Sequence, residues 1–309
     1  MKNKRKALIT GGTGFVGSHL TYRLVKDGWD VHVITRSKSK LFLFEEVKNK
    51  ITVHVHDGSM DGMLKIVENS KPSIVFHLAS LFLAQHKPND IGELISSNIT
   101  FGTQLLEAMV HHNVDKLVNT GTSWQHYHND QYNPACLYAA TKQAFESIIT
   151  YYLESSPLQV ITLKLYDTYG PNDNREKLFS LLRKVEQEKE TLRMSPGQQL
   201  IDLVYIDDVV EAFRLSAKRL EEGKVDKNYE EFAVSSGRPI QLKHLVEIYT
   251  RTMKKSLKIN WGGRPYRQRE VMLPWNKGKR LPGWSPKIRI EEGIRKMEKV
   301  NTENQHGGD

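Results

Sequence analysis

Apolar residues along the chain recur with two periods, and the places where one gives way to the other outline a repeated order of strand and helix. Lys6 to Thr10 is a short apolar run ending at Gly11-Gly12-Thr13-Gly14-Phe15-Val16-Gly17, after which Ser18 to Lys26 spaces Leu20, Leu24 and Val25 at helical intervals. Asp27-Gly28 stops that helix. Trp29 to Thr35 then alternates as a second strand, completing one βαβ unit. The pattern repeats: Ile51 to Val55 reads as a strand, Met60 to Asn69 as a helix and Ser73 to Leu78 as a buried strand. Ile91 to His112 reads as one long helical stretch, Lys116 to Thr122 as a strand, Tyr138 to Ser155 as a helix and Leu158 to Leu165 as another strand. Strands alternating with helices predict an α/β fold with a doubly wound parallel sheet.

The glycines between the first strand and the first helix are spaced Gly11-x-x-Gly14-x-x-Gly17. That position suits a turn that passes close to a pyrophosphate, with the first N–H groups of the helix facing the anion. The expected layout is a dinucleotide-binding Rossmann domain over residues 1–170, with 203–253 partly returning to it. Residues 171–202 and 254–300 are expected to form a smaller, discontinuous C-terminal substrate lobe. Residues 301–309 lack apolar anchors and are expected to be a disordered tail.

Composition narrows the class. With 309 residues, 39% of them hydrophobic, the chain can bury a substantial core. The single cysteine, Cys136, excludes an internal disulfide and a cysteine-rich zinc module, which fits a reducing, cytoplasmic setting. No apolar stretch approaches the roughly 18 residues of a spanning helix, and the basic start Met1 to Lys6 is followed only by Ala7-Leu8-Ile9, so neither membrane nor export is expected. Twelve histidines include His54 and His56 on one strand face, but no acid or cysteine stands at ligand spacing beside them, and no metal is expected.

The net charge of +9 is concentrated: Lys254 to Ser285 holds nine Lys or Arg against one acid, Glu270. Such a cluster serves nucleic acid, a membrane surface or an anionic small ligand, and charge alone does not choose.

Two features bear on chemistry. The second strand ends in Thr35-Arg36-Ser37-Lys38, with a base where NAD sites usually carry an acid; a guanidinium suits a 2′-phosphate, so Arg36 favours NADP(H), with NAD(H) the alternative. Tyr138 and Lys142 are four residues apart at the start of a helix, so phenol and ammonium share a face, where the cation is expected to lower the phenol's pKa. Cys136, two residues before Tyr138, reads as a small filler.

With these residues in view, the chain resembles the extended short-chain dehydrogenase/reductase superfamily of nucleotide-sugar epimerases, dehydratases and reductases. The matching segments are Thr10 to Gly17, Phe76-His77-Leu78-Ala79, Asn98 to Thr103, Tyr138 to Lys142, Leu203 to Val209 and Gly283 to Ile294. The resemblance implies a homodimer and the following roles. Tyr138 is the proton donor or acceptor, Lys142 binds the nicotinamide ribose, and Thr122 hydrogen-bonds the reacting oxygen, with Ser123 the alternative. Gly11, Thr13, Gly14, Phe15, Val16, Gly17, Leu78, Ala79 and Asn98 lie along the cofactor, and Asp57-Gly58 contacts the adenine.

The 4,6-dehydratases of that superfamily carry Asp-Glu directly after the catalytic threonine, because elimination needs a further acid and base. Here Ser123 and Trp124 stand there, which disfavours a dehydratase. Ile201 replaces an arginine that often precedes Asp202. Ser123, Trp124, His126, Asn174, Arg175, Arg264, Arg267 and Arg269 are the expected substrate residues, the arginines holding a diphosphate. The regions around Leu165 to Arg175 and Trp261 to Glu270 most resemble the CDP-dideoxyhexose 4-ketoreductases of the abequose and paratose type. The expected activity is therefore NADP(H)-dependent reduction of a 4-keto nucleotide-diphosphate deoxysugar. The alternatives are a 4-epimerase with tightly held NAD, a dinucleotide-sensing protein, which the intact Tyr138 and Lys142 pair disfavours because a sensor needs no proton donor, and a nucleic-acid binder, whose affinity for DNA would fall steeply with salt.

Overall fold

In the computed structural model, which describes residues 4–173 and 175–306, the strand and helix alternation is realised from the first strand. β1 (Lys6–Thr10), α1 (Phe15–Lys26) and β2 (Asp30–Arg36) form the first βαβ unit; β3 (Ile51–His56), α2 (Met60–Ser70) and β4 (Ile74–His77) follow. Then come α3 (Ile91–Ile95), α4 (Phe101–His111), β5 (Lys116–Thr122), α5 (Leu137–Ser155), β6 (Gln159–Leu165) and β7 (Asp167–Tyr169). The later chain holds α6 (Leu178–Glu188), β8 (Thr191–Met194), β9 (Leu200–Ile201), β10 (Leu203–Tyr205), α7 (Ile206–Glu221) and β11 (Tyr229–Val234). β12 (Ile240–Gln241), α8 (Leu242–Met253), β13 (Lys258–Trp261) and α9 (Ile290–His306) complete it.

Seven parallel strands form the main sheet in the order β11-β6-β5-β4-β1-β2-β3. The order reverses between β1 and β4, and in such sheets ligands bind beyond the C-terminal strand ends at that point. Side chains of β1 alternate across the sheet. Ala7 and Ile9 join Leu20 and Leu24 of α1 and Phe213 of α7, whereas Leu8 joins Met63 of α2, Leu105 of α4 and Phe145 of α5. Cover on both faces is why these strands read as unbroken apolar runs.

Beyond the sheet, β8 pairs with β13 in parallel, and Ile294 and Met297 of α9 are buried in the same core as Leu245 and Tyr249 of α8. The segments Leu203 to Val209 and Gly283 to Ile294 meet. Trp284 Nε1 donates to the Asp208 carbonyl at 2.8 Å, and Asp208 Oδ2 accepts the N–H groups of Lys287 and Ile288, both at 3.0 Å. One buried carboxylate thus folds the C-terminal segment back onto α7.

The helical stretch expected from Ile91 to His112 is realised, with Ser96–Thr100 forming a π-helical turn between α3 and α4. One expectation is corrected. The tail was expected to be disordered from residue 301, but α9 continues to His306. Once a helix is nucleated by a buried face, each further residue costs little, so polar residues extend it without apolar anchors; residues 307–309 lie outside the described residues.

Candidate active site

The glycine turn after β1 is shaped by three different close approaches. Gly11 has φ +69°, and a Cβ there would lie 2.6 Å from the Ala79 nitrogen; one at Gly12 would meet Val33 Cγ1 at 2.5 Å, and one at Gly17 the Gly11 carbonyl oxygen at 2.1 Å. No side chain caps α1, whose N-cap is Gly14, and its first turn holds no acid. Its leading N–H groups therefore present an uncompensated positive end to an anion.

That end opens into an inner cavity of about 240 Å³, bounded also by Leu78 and Ser80 after β4, Thr120 and Thr122 of β5, and Tyr138. Among the described residues, the buried Thr120 Oγ1 has no hydrogen-bond partner. Glycines that tolerate no Cβ, a bare helix N-terminus and an unpartnered hydroxyl fit a bound dinucleotide.

An outer cavity of about 580 Å³ adjoins the inner one, and the two share Phe82, Trp124, Asp167, Thr168, Arg175 and Lys177 among their lining residues. Ser123, Trp124 and His126, from the turn after β5, line it, as do Arg264, Arg267 and Trp275 from the C-terminal segment. Arg175 forks onto Asp173 at 2.7 and 2.8 Å and lies 4.5 Å from the centroid of the Phe15 ring at the start of α1. Arg267 forks onto Glu270 at 2.9 and 2.6 Å and lies 5.2 Å from the Trp124 ring. Arg264 stands exposed at the rim, with no ion-pair partner among the described residues.

Tyr138 is buried in the first turn of α5, edge-on to Phe82 at 5.0 Å. Burial pushes its phenol up, and the groups that pull it back are Ser80 and Arg175. The expectation that Lys142 lowers the phenol is not realised in this arrangement. Lys142 is itself only 2% exposed, and burial pushes its ammonium down to about 8, partly offset by Glu146. Among the described residues the ammonium has no hydrogen-bond partner, and Lys142 lines neither cavity. Thr122 ends β5 with its side chain on the inner cavity, and its Oγ1 accepts from the Trp124 N–H at 3.3 Å.

Several expected site residues line neither cavity. Asn98, in the π turn, is 1% exposed and spends its amide on the loop after β4: it accepts from Leu81 N at 2.7 Å and donates to Leu81 O at 3.0 Å and to Thr141 Oγ1 at 2.9 Å. It holds the loop rather than lining either cavity. Arg269 also lines neither; it hydrogen-bonds Asn133 and covers the Tyr127 ring at 4.4 Å. Asp57 and Gly58 are exposed at the end of β3, where Asp57 accepts from Ser59 N at 2.8 Å and Ser59 Oγ at 2.7 Å. Arg36 is exposed at the end of β2, with no ion-pair partner among the described residues. Thr13 and Ala79 flank the glycine turn without lining the cavity. Asn174 lies outside the described residues.

Sequence reasoning missed Phe82, Asp167, Lys177 and Trp275, which have no motif of their own. Asp167 and Lys177 pair at 3.4 Å where the cavities meet. Their nearness to Tyr169-Gly170-Pro171 was the available signal. His54 and His56 make separate contacts: His54 Nε2 meets His32 Nδ1 at 2.9 Å on the neighbouring strand and His56 Nε2 meets the Ser59 carbonyl at 3.1 Å, and no group of three possible metal ligands gathers among the described residues.

A seven-stranded parallel sheet with this turn and cavity defines a Rossmann-type dinucleotide-binding fold. The chain belongs to the NAD dependent epimerase/dehydratase family, whose pattern matches residues 7–230. CDP-abequose synthase of Salmonella muenchen is 28% identical over 296 residues, spanning 95% of this chain and 97% of the relative. UDP-glucuronate 4-epimerase of Thermodesulfobacterium geofontis is 27% identical over 319 residues, spanning 96% of both. A solved UDP-glucuronic acid 4-epimerase from Bacillus cereus, in complex with UDP-glucuronic acid and NAD, shares the fold with a TM-score of 0.85 at 21% identity, covering 97% of this chain and 99% of that one.

Proposed function

We propose that the protein is an NADP(H)-dependent 4-ketoreductase of a nucleotide-diphosphate deoxysugar, with a CDP-linked sugar favoured. The observation that carries this reading is the position of Tyr138, a buried phenol on the inner cavity beside the Thr122 strand end, with an arginine-lined outer chamber adjoining it. The glycine turn, the α1 N-terminus and Lys142 hold the dinucleotide, which when bound supplies the hydride. Tyr138 keeps its proton at neutral pH because burial raises its pKa, and donates it to the oxygen as negative charge develops there. Thr122 Oγ adds a second hydrogen bond to that oxygen. Arg264 and Arg267 take the diphosphate, and the aromatic walls exclude water.

Ser123 and Trp124 supply no acid and base for elimination, which supports carbonyl chemistry. Likeness to the CDP-abequose synthases supports reduction in particular. Arg36 supports the phosphorylated cofactor. Arg36→Asp is expected to weaken NADPH binding by roughly 10- to 150-fold, the equivalent of about 1.5–3 kcal/mol for a charged hydrogen bond, as read by fluorescence titration. A second reading, a 4-epimerase retaining NAD, is supported by the likeness to UDP-glucuronate 4-epimerase. The test is to incubate the pure protein with 4-keto sugar nucleotides and NADPH. One NADPH oxidised per product, with little NAD carried by the purified protein, supports reduction. Stoichiometric bound NAD with C4 inversion and no net NADPH use supports epimerisation.

A further inference from the structure

Behind the β5 strand end lies a buried polar network that the proposed reaction does not use. Gln125 is 0% exposed and its amide is fully engaged: Oε1 accepts the Thr122 N–H at 2.9 Å, while Nε2 donates to Gln143 Oε1 at 2.8 Å and Glu146 Oε2 at 3.0 Å. The N–H donor of Thr122 on one side and the acceptor carboxylate of Glu146 on the other fix the orientation of this amide, since only one assignment pairs every group. Glu146 takes both of its Lys164 contacts at 2.9 and 2.7 Å, and the 0%-exposed Lys164 also lies 3.2 Å from Glu231.

The network is built against the strand. A Cβ at Gly121 would lie 2.7 Å from Lys164 Cδ, 2.8 Å from Glu146 Oε1 and 3.1 Å from Gln125 Oε1, so only a glycine between Thr120 and Thr122 admits it. Buried ion pairs are often matched or bettered in stability by apolar residues, so burying Lys164 and Glu146 calls for another reason.

We infer that Gln125 is a positioning residue that fixes Thr122 for the reacting oxygen, anchored by the Lys164–Glu146 pair. The same carboxylate sits one turn beyond Lys142 on α5, so it serves both arms of the site: it sets Thr122 through Gln125 and favours the Lys142 ammonium electrostatically. The role rests on Thr122 acting on the substrate, as proposed above.

A double-mutant cycle tests it. Gln125→Met is expected to lower kcat about tenfold or more while KM and NADPH affinity stay within about twofold; in a Thr122→Val background the same change should cost less than about twofold. Gln125→Glu, which keeps the acceptor on Thr122, should fall between wild type and Gln125→Met, and it carries the cycle if Gln125→Met does not fold. Equal losses in both backgrounds, or Gln125→Glu as slow as Gln125→Met, overturn the proposal.

Amide hydrogen exchange gives a readout independent of substrate. The Thr122 to Trp124 amides should exchange faster in the variant while those of α5 and β6 do not, and unchanged exchange at Thr122 overturns the role. A wild type that oxidises no NADPH with 4-keto sugar nucleotides defeats the ketoreductase reading alone, since the cycle runs on any C4 carbonyl conversion and the exchange needs none.

Discussion

Tyr138 and Lys142 share one helix face, yet burial acts on them in opposite senses: it holds the phenol neutral and presses the ammonium toward neutrality. A phenol that stays protonated suits a donor. Tyr138→Phe should therefore lower turnover by roughly 10² to 10⁴ with cofactor affinity nearly unchanged, checked by steady-state kinetics beside a direct NADPH titration. Lys142 is charged below about 8 and loses its proton as pH rises through that value. On the ribose-binding role proposed for Lys142, losing that charge gives kcat/KM an alkaline limb near pH 8. In Lys142→Arg, whose guanidinium stays charged, that limb should move beyond pH 10; a limb unmoved by the substitution would assign it to another group. His77, beside Lys142, is pushed down to about 3 and stays neutral throughout this range.

At the scale of elements, the π turn at Ser96–Thr100 points Asn98 at the loop after β4, which carries Leu78, Ser80 and Phe82 to the inner cavity. One amide thereby ties that loop to α5 through Leu81 and Thr141. Asn98→Ala leaves the partly buried Leu81 backbone groups unpaired at about 1–3 kcal/mol, so thermal denaturation should show Tm lower by roughly 3–10 °C. Turnover should fall with it, because Phe82 packs on Tyr138.

The sheet was legible because strands buried on both faces write themselves as apolar runs: Lys6–Thr10 and Lys116–Thr122 coincide with β1 and β5. The π turn was not, since one extra residue in a turn leaves the apolar spacing of a long helix almost unchanged. Tyr138, Lys142 and the glycine turn were legible as local spacings. The Gln125–Glu146–Lys164 network was hidden because it joins three elements at separations of 18 and 21 residues. Arg269 was misplaced because a run of arginines does not say which of them faces inward.

Across the whole molecule, the basic excess at Lys254 to Ser285 is divided among structural tasks. Arg264 and Arg267 line the outer cavity, Lys255 pairs with Glu186 at 2.5 Å, and Arg269 and Lys277 reach the loop after β5. These last contacts belong to a clasp between the sheet domain and the C-terminal segment. The Trp275 ring stacks on His126 at 3.9 Å and 16°, Asn276 N donates to Asn129 Oδ1 at 2.8 Å, and Lys277 Nζ donates to Asn129 O at 2.9 Å. His128 and Asn129 of this loop take left-handed backbone angles, with φ of 58° and 60°. His126 and Trp275 both line the outer chamber, whereas Tyr138 and Thr122 are held from the sheet side, so loosening the clasp acts on substrate retention more than on the chemical step. Trp275→Ala should therefore raise KM for the nucleotide sugar by roughly 2- to 10-fold, the equivalent of about 0.5–1.5 kcal/mol for an aromatic stack. By the same argument kcat should change less than about twofold and NADPH affinity not at all, because the interaction removed binds ground and transition states alike. Steady-state kinetics with the sugar nucleotide varied at saturating NADPH reads both parameters. A loss confined to kcat would mean that the clasp instead positions the reacting carbon against Tyr138.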